Sequence, residues 1–117
     1  MFEFVKNIRR RISAEKMYEK ALKEAVAAYR ASGKRQYVVK GRLKDGKKTL
    51  RVLDRKNFRF LRRKGCIDGR FKMIDMERLC FWHTTYGNGE GEMDEMEKVW
   101  RRKEAVAWLM KKERRQG

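Results

Sequence analysis

Between Phe4 and Tyr29 the apolar positions recur at helical spacing. Phe4, Val5, Ile8 and Ile12 fall within about a third of a helical wheel, with Lys6, Arg9 and Arg10 turned away. The repeat resumes after Ser13 with Tyr18, Leu22, Ala25, Val26 and Tyr29. Ser13 is a candidate N-cap with Glu15 in the turn behind it, and Ala31-Ser32-Gly33 supplies a stop. The apolar stripe shifts phase near Ser13, so the pattern predicts either one long helix or a helix pair.

From Gln36 the period changes to two. Tyr37, Val39 and Leu43 alternate with Val38, Lys40 and Arg42 up to Asp45-Gly46, a hairpin signal. A two-residue loop there would set Val39 opposite Val52 and Gly41 opposite Leu50 on one face. The other face would then oppose Lys40 to Arg51 and Lys44 to Lys47. Facing like charges cost a few tenths to about 1 kcal/mol per pair, a cost that an anion bound across them would relieve.

Asp54 can cap a helix running to Lys64 and closed by Gly65. On its wheel Arg55, Lys56, Arg59, Arg62 and Arg63 gather in roughly one third of the circumference, Phe58 and Leu61 face the packing side, and Phe60 falls between. Cys66-Ile67-Asp68-Gly69 reads as a turn, Phe71, Met73 and Ile74 as a third strand, and Asp75 as the cap of a helix through Met76, Leu79, Cys80 and Trp82. Thr84 to Gly91, glycine-rich and without apolar period, is expected to be an exposed, mobile connector. A last helix opens with Glu92, Asp94, Glu95 and Glu97 and closes with Lys111, Lys112, Arg114 and Arg115, both ends matching the helix dipole. Its apolar side would comprise Met96, Val99, Trp100, Val106, Ala107, Leu109 and Met110.

These elements predict an α+β fold: an N-terminal helix or helix pair, a two- to three-stranded antiparallel sheet containing the β-hairpin, and C-terminal helices packed on one sheet face. A chain of 117 residues fits one domain around one core. No apolar run approaches the roughly 20 residues of a membrane-spanning helix. With no secretory leader at the start, a reducing, cytoplasmic setting is expected for Cys66 and Cys80.

Charge changes the picture most. The chain carries 33 Lys and Arg against 16 Asp and Glu, a net charge of +17. Such self-repulsion is tolerated most simply by a polyanionic partner, because Lys and Arg that neutralise phosphates release condensed counterions. The expected function is therefore non-catalytic binding of nucleic acid, DNA or RNA, mainly through phosphates. The surface for it is Lys40, Arg42, Lys44, Lys47 and Arg51 of the hairpin together with Arg55, Lys56, Arg59, Arg62 and Arg63 of the following helix. Small size, strong basicity and the lack of a catalytic motif also fit an accessory protein of a phage or mobile element.

Other chemistry is less well supported. Cys80 and His83 would share a helical face with Cys66 upstream, but no recognised zinc spacing accompanies them, and packing is the default role. The same pair has no orienting group to serve as nucleophile and base. Gly87-Asn88-Gly89-Glu90-Gly91 lacks the Lys-Ser/Thr ending of a phosphate-binding loop. No enzyme, metal or cofactor is predicted. For single-strand binding Tyr37, Phe58 and Phe60 are the stacking candidates, the first two assigned to the core. The alternative reading is an interaction module that docks an acidic protein partner, or that self-associates as a homodimer through Trp100, Trp108 and the N-terminal helix. The N-terminal stripe could also lie on an anionic membrane or in a partner's groove.

Overall fold

The computed structural model describes residues 2–111. Helix α1, Phe2–Ser32, is one continuous helix, so Ser13 is a helical residue and not an N-cap. The phase shift there separates two differently used halves. Ala14, Tyr18, Ala21 and Ala25 form the buried stripe of the second half, whereas the residues from Glu3 through Ser13 are all exposed. Tyr18 is fully buried and donates its hydroxyl to the Phe81 carbonyl at 2.9 Å. Burial raises its pKa far above the ordinary phenol range, so it remains a donor.

Strands β1 (Tyr37–Arg42), β2 (Lys48–Leu53) and β3 (Trp82–His83) form an antiparallel sheet in the order β2-β1-β3. The hairpin forms, but its register differs by one residue from that expected: Tyr37 faces Leu53, Val39 faces Arg51 and Lys40 faces Leu50. The loop is the cause. Gly46 N–H donates to the Leu43 carbonyl and Leu43 N–H to the Lys47 carbonyl, both at 2.9 Å, which closes a three-residue loop over Lys44-Asp45-Gly46. Gly46 takes the left-handed conformation this loop needs, at φ +87°. Because side chains alternate faces, the extra residue puts Lys40 and Arg51 on opposite faces and removes the expected like-charge pair.

Helices α2 (Arg55–Arg63), α3 (Met73–Leu79) and α4 (Glu95–Met110) complete the α+β architecture expected from sequence. Both sheet faces are covered. Val38 and Leu50 pack against Tyr18, Ala21 and Ala25 of α1 and Ala105 of α4. Tyr37 and, at the margin, Val39 pack against Phe58 of α2, Met76 of α3 and Cys80. Arg102 of α4 pairs with Glu15, at 3.6 Å, and with Glu19, tying α4 to α1.

Three local expectations are corrected. The third strand is Trp82–His83, and Met73 and Ile74 belong to α3. The two-residue spacing of Phe71 and Met73 yields to the i,i+3 pairing of Met73 with Met76, and the Asp75 carboxylate accepts from Lys72 N–H at 2.8 Å as that helix begins. Helix α3 ends at Leu79, before Cys80 and Trp82. On α4 the apolar side divides, with Ala105 and Val106 buried and Met96, Val99 and Trp100 exposed. Asp94 caps α4 by accepting from Glu97 N–H at 2.7 Å, whereas Lys112, Arg114 and Arg115 at the expected basic end lie outside the described residues. Among the described residues no helix is long and apolar enough to cross a membrane.

Candidate nucleic-acid interface

Helix α2 starts where the sequence places it, with the Asp54 carboxylate accepting from Asn57 N–H at 2.7 Å. Its roll about its own axis is set by Phe58, which is 1% exposed and meets the Phe71 ring at a centroid separation of 6.0 Å. With Phe58 inward, the arc carrying Arg55, Lys56, Arg59, Arg62 and Arg63 turns away from the core. Arg62 is half-buried; its guanidinium lies 5.5 Å from the centre of the Phe58 ring and donates to the Phe71 carbonyl at 3.4 Å.

The hairpin then brings a second group of cations beside this arc. Because Tyr37 faces Leu53, the chain just before β1 and the chain just after β2 emerge at the same end of the sheet. Lys34 and Arg35 therefore stand next to α2. Together they line a cleft of about 730 Å³ whose walls contain seven Lys and Arg side chains and no carboxylate. Tyr86 and Gly87 complete one wall.

Arg35 is held by the loop that follows β3. Its Nη2 lies 2.6 Å from Nδ1 and 3.0 Å from Nε2 of His83 and donates to the Gly91 carbonyl at 3.3 Å. Its guanidinium stacks 4.1 Å from the centre of the Tyr86 ring, a favourable cation–π position. Among the described residues the buried Nε of Arg35 has no hydrogen-bond partner. His83 is 8% exposed; burial lowers its pKa, opposed by the bond to the Thr84 carbonyl at 3.0 Å and reinforced by the neighbouring Arg35 and Arg101, so the ring rests neutral, and with Nδ1 donating to Thr84 it is Nε2 that accepts from Arg35. Behind the wall, Glu77 accepts from Tyr37 and Tyr86 hydroxyls at 2.9 and 3.3 Å. Burial and the Glu77 contact drive the Tyr37 pKa far upward.

The connector from Thr84 to Gly91 is anchored at its base. Thr84 is buried, the Tyr29 hydroxyl donates to the Tyr86 carbonyl at 2.9 Å, and Gly87 sits so close to α1 that a Cβ there would come 2.6 Å from the Gly33 carbonyl oxygen. The contacts of this base with α1 hold Tyr86 in place against Arg35.

The hairpin cations do not join this cleft. Lys40, Arg42 and Arg51 border a second cleft of about 1230 Å³ with a mainly apolar lining that includes Phe71, Leu79, Trp100 and Trp108. Lys40 Nζ lies 5.6 Å from the centre of a Trp108 ring. Arg51 donates to the Arg42 carbonyl at 2.9 Å and Arg42 to the Gly46 carbonyl at 3.1 Å. Lys44 and Lys47 lie at the hairpin tip, Lys47 within 3.9 Å of Asp45, and border neither cleft. Of the stacking candidates, Tyr37 and Phe58 are each 1% exposed and Phe60 is 50% exposed.

Cys80 and His83 do not share a helical face, since one follows α3 and the other lies in β3. Burial pushes the Cys80 thiol up, against the opposing pull of Arg101, which donates to Cys80 Sγ at 3.0 Å; a thiol raised in this way is a poor nucleophile at neutral pH. Cys66 is exposed and free. Among the described residues no three His, Cys, Asp or Glu side chains are grouped to hold a metal.

Lys34, Arg35 and Tyr86 are the cleft residues that reading by helical wheel misses. The signal for the first two lay in topology: any hairpin returns the end of its second strand to the start of its first. No known protein family, characterised protein or solved structure matches the chain.

Proposed function

We propose that this protein binds nucleic acid without catalysing a reaction, and that the cleft between α2 and the Lys34-Arg35 segment grips the phosphates of one strand. The observation that carries the reading is the wall of seven cations uninterrupted by a carboxylate. Clustered cations inside a concave, partly desolvated surface focus positive potential more strongly than the same charges spread over a convex one. Arg supplies most of the wall, and its planar fork of donors matches phosphate oxygens in pairs. Tyr86, 39% exposed and stacked by Arg35 on one face, is the aromatic ring beside the phosphate track that a base could meet. Two unpaired cysteines fit a reducing, cytoplasmic setting for such a protein.

Sequence preference should be modest, because phosphate contacts position a strand without reading it. Titration of the protein into short labelled single-stranded and duplex oligonucleotides tests the reading. Dissociation constants on the order of 10⁻⁶ to 10⁻⁴ M at physiological salt, tightening steeply as salt is lowered, are expected for phosphate-driven binding. Absence of binding to either form at low salt overturns it.

A further inference from the structure

Two helical faces carry large, exposed apolar side chains that no other described element covers. On the first half of α1, Phe4, Val5, Ile8 and Ile12 are 69%, 47%, 44% and 51% exposed and share an arc of about 100°. On the first half of α4, Met96, Val99 and Trp100 are 84%, 54% and 64% exposed and recur at three- and four-residue spacing. Single exposed apolar residues need no explanation, whereas two aligned stripes do.

The stripes differ in charge. Arg9 and Arg11 border the α1 stripe on either side, with Lys6 and Arg10 behind and only Glu3 of the other sign. The α4 stripe follows the acidic run Glu90, Glu92, Asp94, Glu95 and Glu97, of which Glu92 and Glu95 pair with Lys98 and Glu97 with Arg101, and Lys103 lies one turn on from Val99 and Trp100. Pairing the α1 stripe with its counterpart in another copy would press two basic clusters together. Pairing it with the α4 stripe matches apolar to apolar and basic to acidic. Three turns of helix without tertiary contact are marginal in water, and since α1 is a single continuous helix its projecting half cannot fold back onto its own chain.

We infer that the first three turns of α1 dock on the Met96–Trp100 face of α4 in a second copy of this chain. A two-fold axis makes the contact twice, each copy giving one helix and receiving the other. Trp100 borders the second, mainly apolar cleft, but no residue lining the cleft between α2 and Lys34-Arg35 belongs to either face, so assembly leaves that cleft open in both copies, and the inference stands apart from the proposed function.

The test is sedimentation equilibrium of the full chain without nucleic acid. The parent should form concentration-dependent dimers. Ile8→Asp, whose side chain is exposed in its own chain, should weaken association at least tenfold and leave the thermal transition of the core in place. Arg9→Glu with Arg11→Glu should do the same, as should Glu92→Lys with Glu95→Lys, which removes the surface pairs to Lys98 at 3.3 and 3.2 Å and an acid from the first turn of α4. Combining the two reversals in one chain should restore dimers. A parent that stays monomeric at its highest attainable concentration overturns the inference, including the case in which the monomer instead sediments with anionic lipid vesicles through Ile8. Failure of the combined reversal to restore association overturns it equally.

Discussion

Helix α2 and the β1–β2 hairpin are neighbours in sequence and comparably basic, yet only α2 places its cations in a cleft without carboxylates; Lys40, Arg42 and Arg51 border a mainly apolar cleft that also contains Glu97 and Glu104. The difference is geometric. A helix with one deeply buried anchor, Phe58, turns every cation spaced three and four residues apart toward the same side. A strand alternates its side chains, so Lys40 and Arg51 leave the hairpin on opposite faces, and helices cover part of each face. The remaining hairpin cations sit at the tip, roughly 20 Å along the strands from the end where Arg35 and α2 meet. Charge density along a sequence is therefore a poor guide to charge density in space unless the period of the element is taken into account.

Removal of the Phe58 anchor should have the largest effect. Phe58→Ala should cost about 3 to 5 kcal/mol, and Phe60→Ala, one turn-face away and half exposed, should change stability by no more than about 0.5 kcal/mol. Urea denaturation of both variants measures this, and equal effects would mean that α2 is rolled differently. Next in size is charge reversal in the two regions. Arg59→Glu, Arg62→Glu and Arg63→Glu together should weaken oligonucleotide binding by about two orders of magnitude, if each phosphate contact contributes about 1 kcal/mol. Lys40→Glu, Arg42→Glu and Arg51→Glu together change the net charge equally and should weaken it less than about tenfold, through the long-range field alone. Similar losses from the two triple variants would place the strand elsewhere.

Arg35→Met probes the wall of the cleft opposite α2. It keeps much of the stem packed against Tyr86 but takes the donor from His83 and from the Gly91 carbonyl. A stability loss of about 1 to 2 kcal/mol is expected, accompanied by weaker binding; unchanged binding would exclude Arg35 from the cleft's function. The smallest effect is one of pH. The folded-state pKa of His83 is lowered, so below about 6.5 the unfolded chain takes up a proton that the folded chain resists. The stabilising contribution of the neutral ring is complete above that pH and is lost as pH falls through the depressed folded value. Urea midpoints measured on either side of pH 6.5 should show this decline, and His83→Asn should remove it.

Much of this architecture is legible in the residues. Asp54, the Arg-rich arc and Gly65 define α2, and Asp45-Gly46 marks the hairpin. The register is not legible, because two- and three-residue loops over Asp45-Gly46 differ only in which backbone groups close them, and a shift of one residue exchanges the faces. Strand β3 is too short, at Trp82–His83, to show a period. The exposed halves of α1 and α4 have the same apolar spacing as their buried halves, so a pattern that looks like core reads equally as an unpartnered face. Half of the expected cationic surface, the α2 half, lines the cleft, and Lys34, Arg35 and Tyr86 join it through topology.

The most direct measurement is the dependence of oligonucleotide affinity on salt for the parent and for the Arg59, Arg62 and Arg63 reversal. Five to seven phosphate contacts predict a slope of log K against log salt of roughly −4 to −6 on duplex. The reversal should flatten it to about −3 or less. A parent slope near zero, or a slope that the reversal leaves unchanged, would contradict a phosphate track in the α2 cleft.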